Sequence, residues 1–116
     1  MKPITIAFDV DGTLRDNIVN QDLQPVANED IRSLLIILSK FKNVKIMVWS
    51  GGGELYARQV VESLGLNKYV DEFTDKKYRV GPDGSHHFET RVKPDIAIDD
   101  IQECTLGVLN LIVRQK

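Results

Sequence analysis

The chain of 116 residues has little of several features that mark particular protein classes. A single cysteine, Cys104, excludes an internal disulfide framework and favours a reducing compartment. No apolar run approaches the roughly 18 residues that a membrane-spanning helix needs, and the first residues lack the form of a secretion signal. We therefore expect a cytoplasmic protein that has no contact with the membrane.

An excess of charge of either sign is also missing. The sequence has 15 Lys and Arg against 17 Asp and Glu, which gives a formal net charge of −2. This balance provides no strong signal for binding nucleic acid. With 42% hydrophobic and 28% charged residues, the composition is that of a globular protein, and the length predicts one domain over residues 1–116.

Short β-rich runs alternate with segments of helical period, which predicts an α/β fold. Helices are predicted over 28–42, with Asn28 as the N-cap, and over about 54–64. Strands are predicted over residues 4–8, 44–49, 69–73 and 96–98.

The remaining segments are shorter or less regular. Residues 12–27 have no clear period and are predicted to form a flap. Residues 75–92 predict a small hairpin insertion, with strands over 77–80 and 86–91 around a turn rich in Gly and Pro. Residues 108–113 suit a strand or a helix, and their branched side chains favour the strand.

Polar residues follow three of the predicted strands. They are Asp9 and Asp11, then the Ser50–Gly53 turn, then Asp99 and Asp100. Because the carboxyl ends of parallel strands share one edge of a sheet, these groups are expected to converge on one pocket. Asp9 and Asp11 are two residues apart, so an extended backbone places both carboxylates on the same side.

Carboxylates this close repel one another unless a cation lies among them, and Mg²⁺ is the ion that best suits several carboxylates and water. Each Asp taken alone also suits a helix cap or a turn. For that interpretation to hold, polar groups would have to follow three separate strands by chance. The amides of the Ser50–Gly53 turn, before a helix, can bind an anion or can simply form a tight turn. Lys93, six residues before Asp99, can reach the same edge or can be solvated.

These residues resemble the motifs of the haloacid dehalogenase (HAD) superfamily, most of whose members are phosphatases. Residues 9–14, Asp-Val-Asp-Gly-Thr-Leu, are similar to its DxDGT signature. The second, third and fourth motifs are similar, in the family's order, to Trp49-Ser50-Gly51, Lys93-Pro94 and Ile98-Asp99-Asp100. The resemblance implies a small, uncapped member with a three-layer Rossmann-like fold. Its mainly parallel sheet would have the strand order 5-4-1-2-3, with the hairpin as an addition.

The resemblance also implies roles for individual residues. Asp9 would attack phosphorus to form an aspartyl-phosphate, and Asp11 would act as general acid and then general base. Ser50 and an amide near Gly51 would bind a phosphoryl oxygen, and Lys93 would neutralise charge. Mg²⁺ would be held by Asp9, the carbonyl oxygen of Asp11, and Asp100, with Asp99 as the second candidate.

The length leaves no room for a large cap domain, so we expect a site that is open, or covered by the hairpin or by another copy in a homo-oligomer. An open site suits phosphorylated substrates, small or macromolecular. The hairpin is locally basic and can bind substrate phosphate or be simply solvated; its basic residues are Lys76, Lys77, Arg79 and Arg91.

Three other functions compete with the phosphatase. One is a phosphotransferase that uses an acceptor other than water, and another is a non-catalytic binding or regulatory module. A receiver domain also gathers acids at strand ends, but its phospho-accepting Asp would be expected where Ser50 stands.

Overall fold

The computed structural model describes residues 2–16, 26–101 and 104–114. In these ranges the chain forms six strands, two α-helices and a 3₁₀ turn over Asn67–Tyr69. The helices are α1 (Glu29–Ser39) and α2 (Glu54–Ser63). The strands are β1 (Ile4–Asp9), β2 (Val44–Ser50), β3 (Glu72–Val80), β4 (His86–Thr90), β5 (Ile96–Asp99) and β6 (Leu109–Ile112).

The strands form one mixed sheet with the order β4-β3-β2-β1-β5-β6. Strand β3 pairs parallel with β2 and antiparallel with β4, while the remaining neighbours are parallel. The predicted mainly parallel sheet with the order 5-4-1-2-3 is therefore wrong. The hairpin, predicted as an addition beside the sheet, forms one of its edges.

The cause of this error lies in β3. The sequence predicts one strand over 69–73 and another from 77, separated by charged residues. In the structure Tyr69 ends the 3₁₀ turn, and a single strand runs from Glu72 to Val80. Its first residues pair with β2 up to Asp75, and its last residues, from Lys76, pair with β4. The strand does not break at the charges because Lys76 is buried against two carboxylates.

The three-layer arrangement is also wrong, because α1 and α2 pack on the same face of the sheet. Leu35 of α1 and Val61 of α2 belong to one buried cluster with Phe8 and Val48. The alternate residues of the same strands face the other way; they are Ala7, Met47, Trp49 and Ala97. In the described part of the chain, loop residues cover this second face instead of a helix; they are Val92, Ile101, Cys104 and Leu106.

Several local predictions agree with the structure. Asn28 is the N-cap of α1, and its side chain accepts a hydrogen bond from the amide of Ile31 at 3.5 Å. The helix predicted over about 54–64 is α2, and Gly65, with φ of 71°, follows its end as a left-handed residue. The segment that suited a strand or a helix contains strand β6.

The beginning of the predicted flap folds back on β1. The amide of Leu14 donates to the carbonyl of Asp9, the last residue of β1, at 3.3 Å, and the amide of Asp16 donates to the carbonyl of Val26 at 2.8 Å. The flap was predicted over 12–27, and residues 17–25 lie outside the described residues. Of the described helices, none combines the length and the apolar composition required to cross a membrane.

Candidate active site

The candidate site lies at the edge of the sheet where β1 and β5 end. Strand β1 ends at Asp9 and β5 ends at Asp99, and Phe8 and Ile98, the residues before them, are paired. Because side chains alternate along a strand, Asp9 and Asp99 both point away from the helices, on the face that carries Ala7 and Ala97. Two carboxylates are thus brought together at one buried position.

Lys76 of β3 lies between these two carboxylates. Its Nζ is 2.8 Å from Oδ1 of Asp9 and 2.6 Å from Oδ2 of Asp99, and only 4% of its side chain is exposed. Burial alone would lower the pKa of Lys76, but the two carboxylates overcome this effect and raise the pKa above its usual value. The site therefore holds a permanent positive charge at neutral pH.

Asp9 is the most perturbed acid of the site. Burial, together with the nearby charge of Asp99, raises the pKa of Asp9 to about 7 even though Lys76 opposes the rise. The hydroxyl of Thr13 donates to Oδ2 of Asp9 at 3.3 Å. In the absence of a metal ion, Asp9 therefore exchanges a proton close to neutral pH, which is typical of a functional carboxyl group.

A third carboxylate completes a group that can bind a cation. Asp9, Asp99 and Asp100 each present an oxygen, and the three atoms lie within 4.8 Å of one another. Both carboxylate oxygens of Asp99 already have partners within the chain. Oδ2 contacts Lys76, and Oδ1 accepts a hydrogen bond from the amide of Ile101 at 3.1 Å. Asp100 is half-buried, and burial together with the neighbouring Asp99 raises its pKa, although the contact with Asp9 opposes the rise. Three carboxylates with only oxygen ligands fit a hard divalent cation.

Asp11 lines the same pocket, but its carboxylate has other partners. Tyr56 of α2 donates its hydroxyl hydrogen to Oδ1 of Asp11 at 2.7 Å, and Arg15 donates from Nη1 to the Tyr56 hydroxyl at 3.2 Å. Asp11 has different partners from Asp9 because β1 ends at Asp9 and the chain then turns at Gly12, where φ is 80°. The Asp11 carboxylate is therefore held outside the three-acid group.

The Ser50–Gly53 turn forms another wall of the pocket. The amide of Gly52 donates to the Ser50 hydroxyl oxygen at 3.0 Å, and Gly53 has φ of 102°, a backbone conformation that a glycine adopts readily. Helix α2 begins directly afterwards, at Glu54. Backbone amides at a helix N-terminus favour an anion, so this wall suits a phosphoryl oxygen.

The pocket between these groups is small and shallow, with a volume of about 220 Å³. This is below the roughly 300–1,000 Å³ of most small-molecule sites, so the bulk of a larger ligand must lie outside it. Phe88 of β4 closes one side. The lining residues are Asp9, Asp11, Ser50, Gly51, Gly52, Lys76, Phe88, Asp99, Asp100 and Ile101.

Lys93, predicted to act at this edge, is exposed and does not line the pocket. Asp95, two residues later, bonds through its amide and carboxylate to the backbone of Thr5 at 2.9 and 2.8 Å, which places this segment beside the beginning of β1. Strand β5 begins after this segment, at Ile96, and ends at Asp99, so Lys93 precedes the start of β5 and Asp99 lies at its other end.

Lys76 is the site residue that sequence reasoning missed. The sequence places it among the basic hairpin residues, yet the other three lie elsewhere. Arg79 pairs with Glu89 at 3.2 Å, Arg91 donates to Thr74 at 3.1 Å, and Lys77 is exposed. What brings Lys76 to the site is the pairing of strands, which the local sequence does not reveal. Asp75 pairs with Ser50, so the next residue stands at the same edge as the other strand ends.

Comparison of the chain with protein-family models and with curated proteins finds no match.

Proposed function

We propose that the chain is a Mg²⁺-dependent phosphoester hydrolase that acts through an aspartyl-phosphate and is similar in its motifs to the HAD superfamily. The observation that carries the proposal is the buried Asp9–Lys76–Asp99 group beside the turn at the start of α2. Phosphoryl transfer requires mainly positioning and charge neutralisation, and this pocket combines a carboxylate, a fixed cation and backbone amides. The single cysteine is consistent with action in the cytoplasm.

Asp9 is the proposed nucleophile. A carboxylate oxygen of Asp9 attacks phosphorus, a new P–O bond forms, and the bond from phosphorus to the leaving oxygen breaks. Lys76 and the Thr13 hydroxyl fix the carboxylate, since they contact Oδ1 and Oδ2 respectively. Water then attacks the aspartyl-phosphate, which releases inorganic phosphate and restores Asp9.

Asp11 is the proposed acid and base. It gives a proton to the leaving oxygen in the first step and accepts a proton from the attacking water in the second. The contact with Tyr56 at 2.7 Å holds its carboxylate at the rim of the pocket, apart from the metal-binding acids. This separation allows one carboxylate to react while the other transfers protons.

The charge that develops on the phosphoryl oxygens is neutralised by three groups of the chain. Lys76 supplies a buried ammonium, Ser50 supplies a hydroxyl, and Gly51 supplies a backbone amide in the turn before α2. We assign to Lys76 the role for which the motif resemblance named Lys93, because Lys76 lines the pocket.

The residues that would hold Mg²⁺ are Asp9, Asp100 and the carbonyl oxygen of Asp11. Asp100 is preferred to Asp99 because it is half-buried and accessible to a cation, whereas the Asp99 side chain is fully buried between Lys76 and the Ile101 amide. A bound Mg²⁺ would supply positive charge that offsets the repulsion between phosphate and the acidic residues. The raised pKa values of Asp9 and Asp100 support this assignment. They mean that two negative charges are unfavourable here without a cation, and a bound metal ion would relieve that repulsion.

The decisive experiment compares hydrolysis of p-nitrophenyl phosphate by the wild type, Asp9→Asn and a control, Asp71→Asn. Asp71 is exposed and accepts a hydrogen bond from the Ile46 amide, which an asparagine oxygen also accepts. We expect turnover that requires Mg²⁺, falls at least about 100-fold in Asp9→Asn and persists in Asp71→Asn. Rapid quenching should trap phosphate on Asp9 of the wild type.

Other results would support the rival functions. Transfer of the phosphoryl group to added glycerol faster than to water would indicate a phosphotransferase. Absence of turnover with Mg²⁺, Mn²⁺ and Co²⁺ across nucleotides, sugar phosphates and phosphopeptides would indicate a binding module. Undiminished hydrolysis by Asp9→Asn would show that Asp9 is not the nucleophile.

A further inference from the structure

The hairpin of β3 and β4 has two faces of different character. Tyr78 is paired with Phe88, and Val80 is paired with His86, so these four side chains share one face. The opposite face carries the charged or polar residues between them, Lys77, Arg79, His87 and Glu89. Tyr78 remains 54% exposed within the described structure, so a large part of an aromatic ring faces solvent.

The aromatic face begins inside the candidate active site. Phe88 lines the pocket, and its ring lies 5.0 Å from Nζ of Lys76, which contacts Asp9 and Asp99. Phe88 also lies beside the turn before α2, since a Cβ added at Gly51 would be 4.0 Å from its Cε1.

From Phe88 the aromatic contacts continue outward along the hairpin. The rings of Tyr78 and Phe88 meet edge to face with centroids 5.4 Å apart. The ring of Tyr78 also lies 5.4 Å from that of His86, and its hydroxyl is hydrogen-bonded to Nδ1 of His86. Phosphate-binding groups and a row of rings are thus continuous on one surface.

We propose that this face, formed by Tyr78, His86 and Phe88, binds a flat aromatic ring carried by the phosphorylated substrate. The proposal rests on the proposed function, whose substrate class it specifies: phosphomonoesters in which an aromatic ring is joined to the phosphoryl group by a short linker. Aryl-alkyl phosphates and nucleotides share this chemistry.

The dimensions of the hairpin agree with such a substrate. Residues two apart on a strand are separated by about 7 Å, so Tyr78 stands roughly that far from Lys76 along β3. A linker of a few bonds between phosphorus and the ring spans this distance. Because the pocket of about 220 Å³ leaves the bulk of a larger ligand outside, the ring meets the neighbouring aromatic face. Stacking on exposed aromatic side chains recognises a flat ring without the need for specific hydrogen bonds.

The test uses two substrates that differ in the flatness of one ring, benzyl phosphate and cyclohexylmethyl phosphate. Both release a primary alcohol, so their intrinsic reactivities are similar. We expect the wild type to favour benzyl phosphate in kcat/KM by about five-fold or more. The ratio should fall toward one in Tyr78→Leu and in Phe88→Leu, which keep an apolar side chain. It should persist in Lys77→Ala, on the opposite face of the hairpin.

A binding measurement separates this proposal from the proposed function. Benzylphosphonate and cyclohexylmethylphosphonate cannot be hydrolysed, and their binding in the presence of Mg²⁺ can be followed by the aromatic NMR signals of Tyr78 and Phe88. A lower dissociation constant for benzylphosphonate, lost in Tyr78→Leu, supports the aromatic subsite even if no phosphoester is turned over, a result that would remove only the proposed function. Hydrolysis with equal kcat/KM for the two phosphates, and equal dissociation constants for the two phosphonates, would overturn the subsite and leave the proposed function intact.

Discussion

At the scale of single residues, the main feature of the candidate site is a lysine that contacts two carboxylates. Lys76 contacts Asp9 and Asp99 at 2.8 and 2.6 Å in a position almost closed to water. A buried ion pair contributes little net stability, because desolvation of the charges offsets their attraction. Its place at the edge where the strands end therefore supports the role in charge neutralisation proposed for Lys76.

Substitution of the two candidate lysines distinguishes their roles. We expect Lys76→Met to lower kcat for p-nitrophenyl phosphate by roughly 100-fold to 1,000-fold, the effect of removing one group that stabilises developing oxyanion charge. Lys93→Met should stay within about two-fold of the wild type, since Lys93 is exposed and does not line the pocket.

The buried position of Lys76 requires a check of folding. Lys76→Met leaves the carboxylates of Asp9 and Asp99 without their cation, so circular dichroism should be recorded with each kinetic series. Lys76→Arg retains the charge and should recover part of kcat if the charge is what matters. A large loss in Lys93→Met, with full activity in Lys76→Met, would restore the assignment that the motif resemblance implied.

The residues that could be predicted from sequence are those at strand ends. Asp9, Ser50 and Asp99 each follow an apolar run, and a parallel sheet brings such positions to one edge. Lys76 could not be recognised in the same way, because it lies in the charged run Asp75-Lys76-Lys77, which locally resembles a solvated hairpin. Its burial depends on carboxylates supplied by two other strands, and no local pattern carries that information.

At the scale of elements, the loop after β1 is connected to the first turn of α2 by hydrogen bonds between side chains. Tyr56 donates to Asp11, and Arg15 donates to Tyr56. The pKa of Tyr56 is raised by burial and by the neighbouring Asp11 carboxylate, so the tyrosine remains a hydrogen-bond donor at neutral pH. The helix that begins at the turn proposed to bind phosphate thereby also orients the proposed acid and base.

Tyr56→Phe tests this connection. We expect kcat to fall about ten-fold for an alkyl phosphate, which needs a proton on its leaving oxygen, and much less for p-nitrophenyl phosphate. KM should change little, because Tyr56 contacts Asp11 instead of the phosphoryl group. Tyr69→Phe, in the 3₁₀ turn, is the matched control. Equal losses with the two substrates would indicate a structural role for Tyr56.

The elements themselves were predicted more reliably than their arrangement. Periodicity and capping located α1 from Asn28, because those signals are local. The packing of both helices on one face could not be predicted, since an apolar stripe shows that a helix is buried and not which face of the sheet it covers. The continuity of β3 through Lys76 was missed because a distant ion pair neutralises its charge.

At the scale of the whole molecule, the net charge of −2 conceals an uneven distribution. Asp9, Asp99 and Asp100 lie together around one buried lysine, so their mutual repulsion is concentrated in one place. Such a concentration of like charge disfavours the folded state unless protons or a cation reduce it. The stability of the whole chain should therefore depend on pH and on divalent metal.

Urea unfolding of the wild type and Asp9→Asn, in EDTA and in Mg²⁺, tests this dependence. The pKa of Asp9 is about 7 in the folded state and near its ordinary value of 3.8 when unfolded, so its stabilising contribution is complete below pH 3.8 and is lost as the pH rises through 7. In EDTA, between pH 5 and 8, the wild type should lose about 2–3 kcal/mol of unfolding free energy relative to Asp9→Asn, which carries no titrating group there.

At pH 8, Mg²⁺ should stabilise the wild type and the control Asp71→Asn more than Asp9→Asn, because the cation takes the place of the proton. A gap between the two proteins that stays constant with pH would contradict the raised pKa of Asp9, and equal stabilisation of all three by Mg²⁺ would remove Asp9 from the metal site.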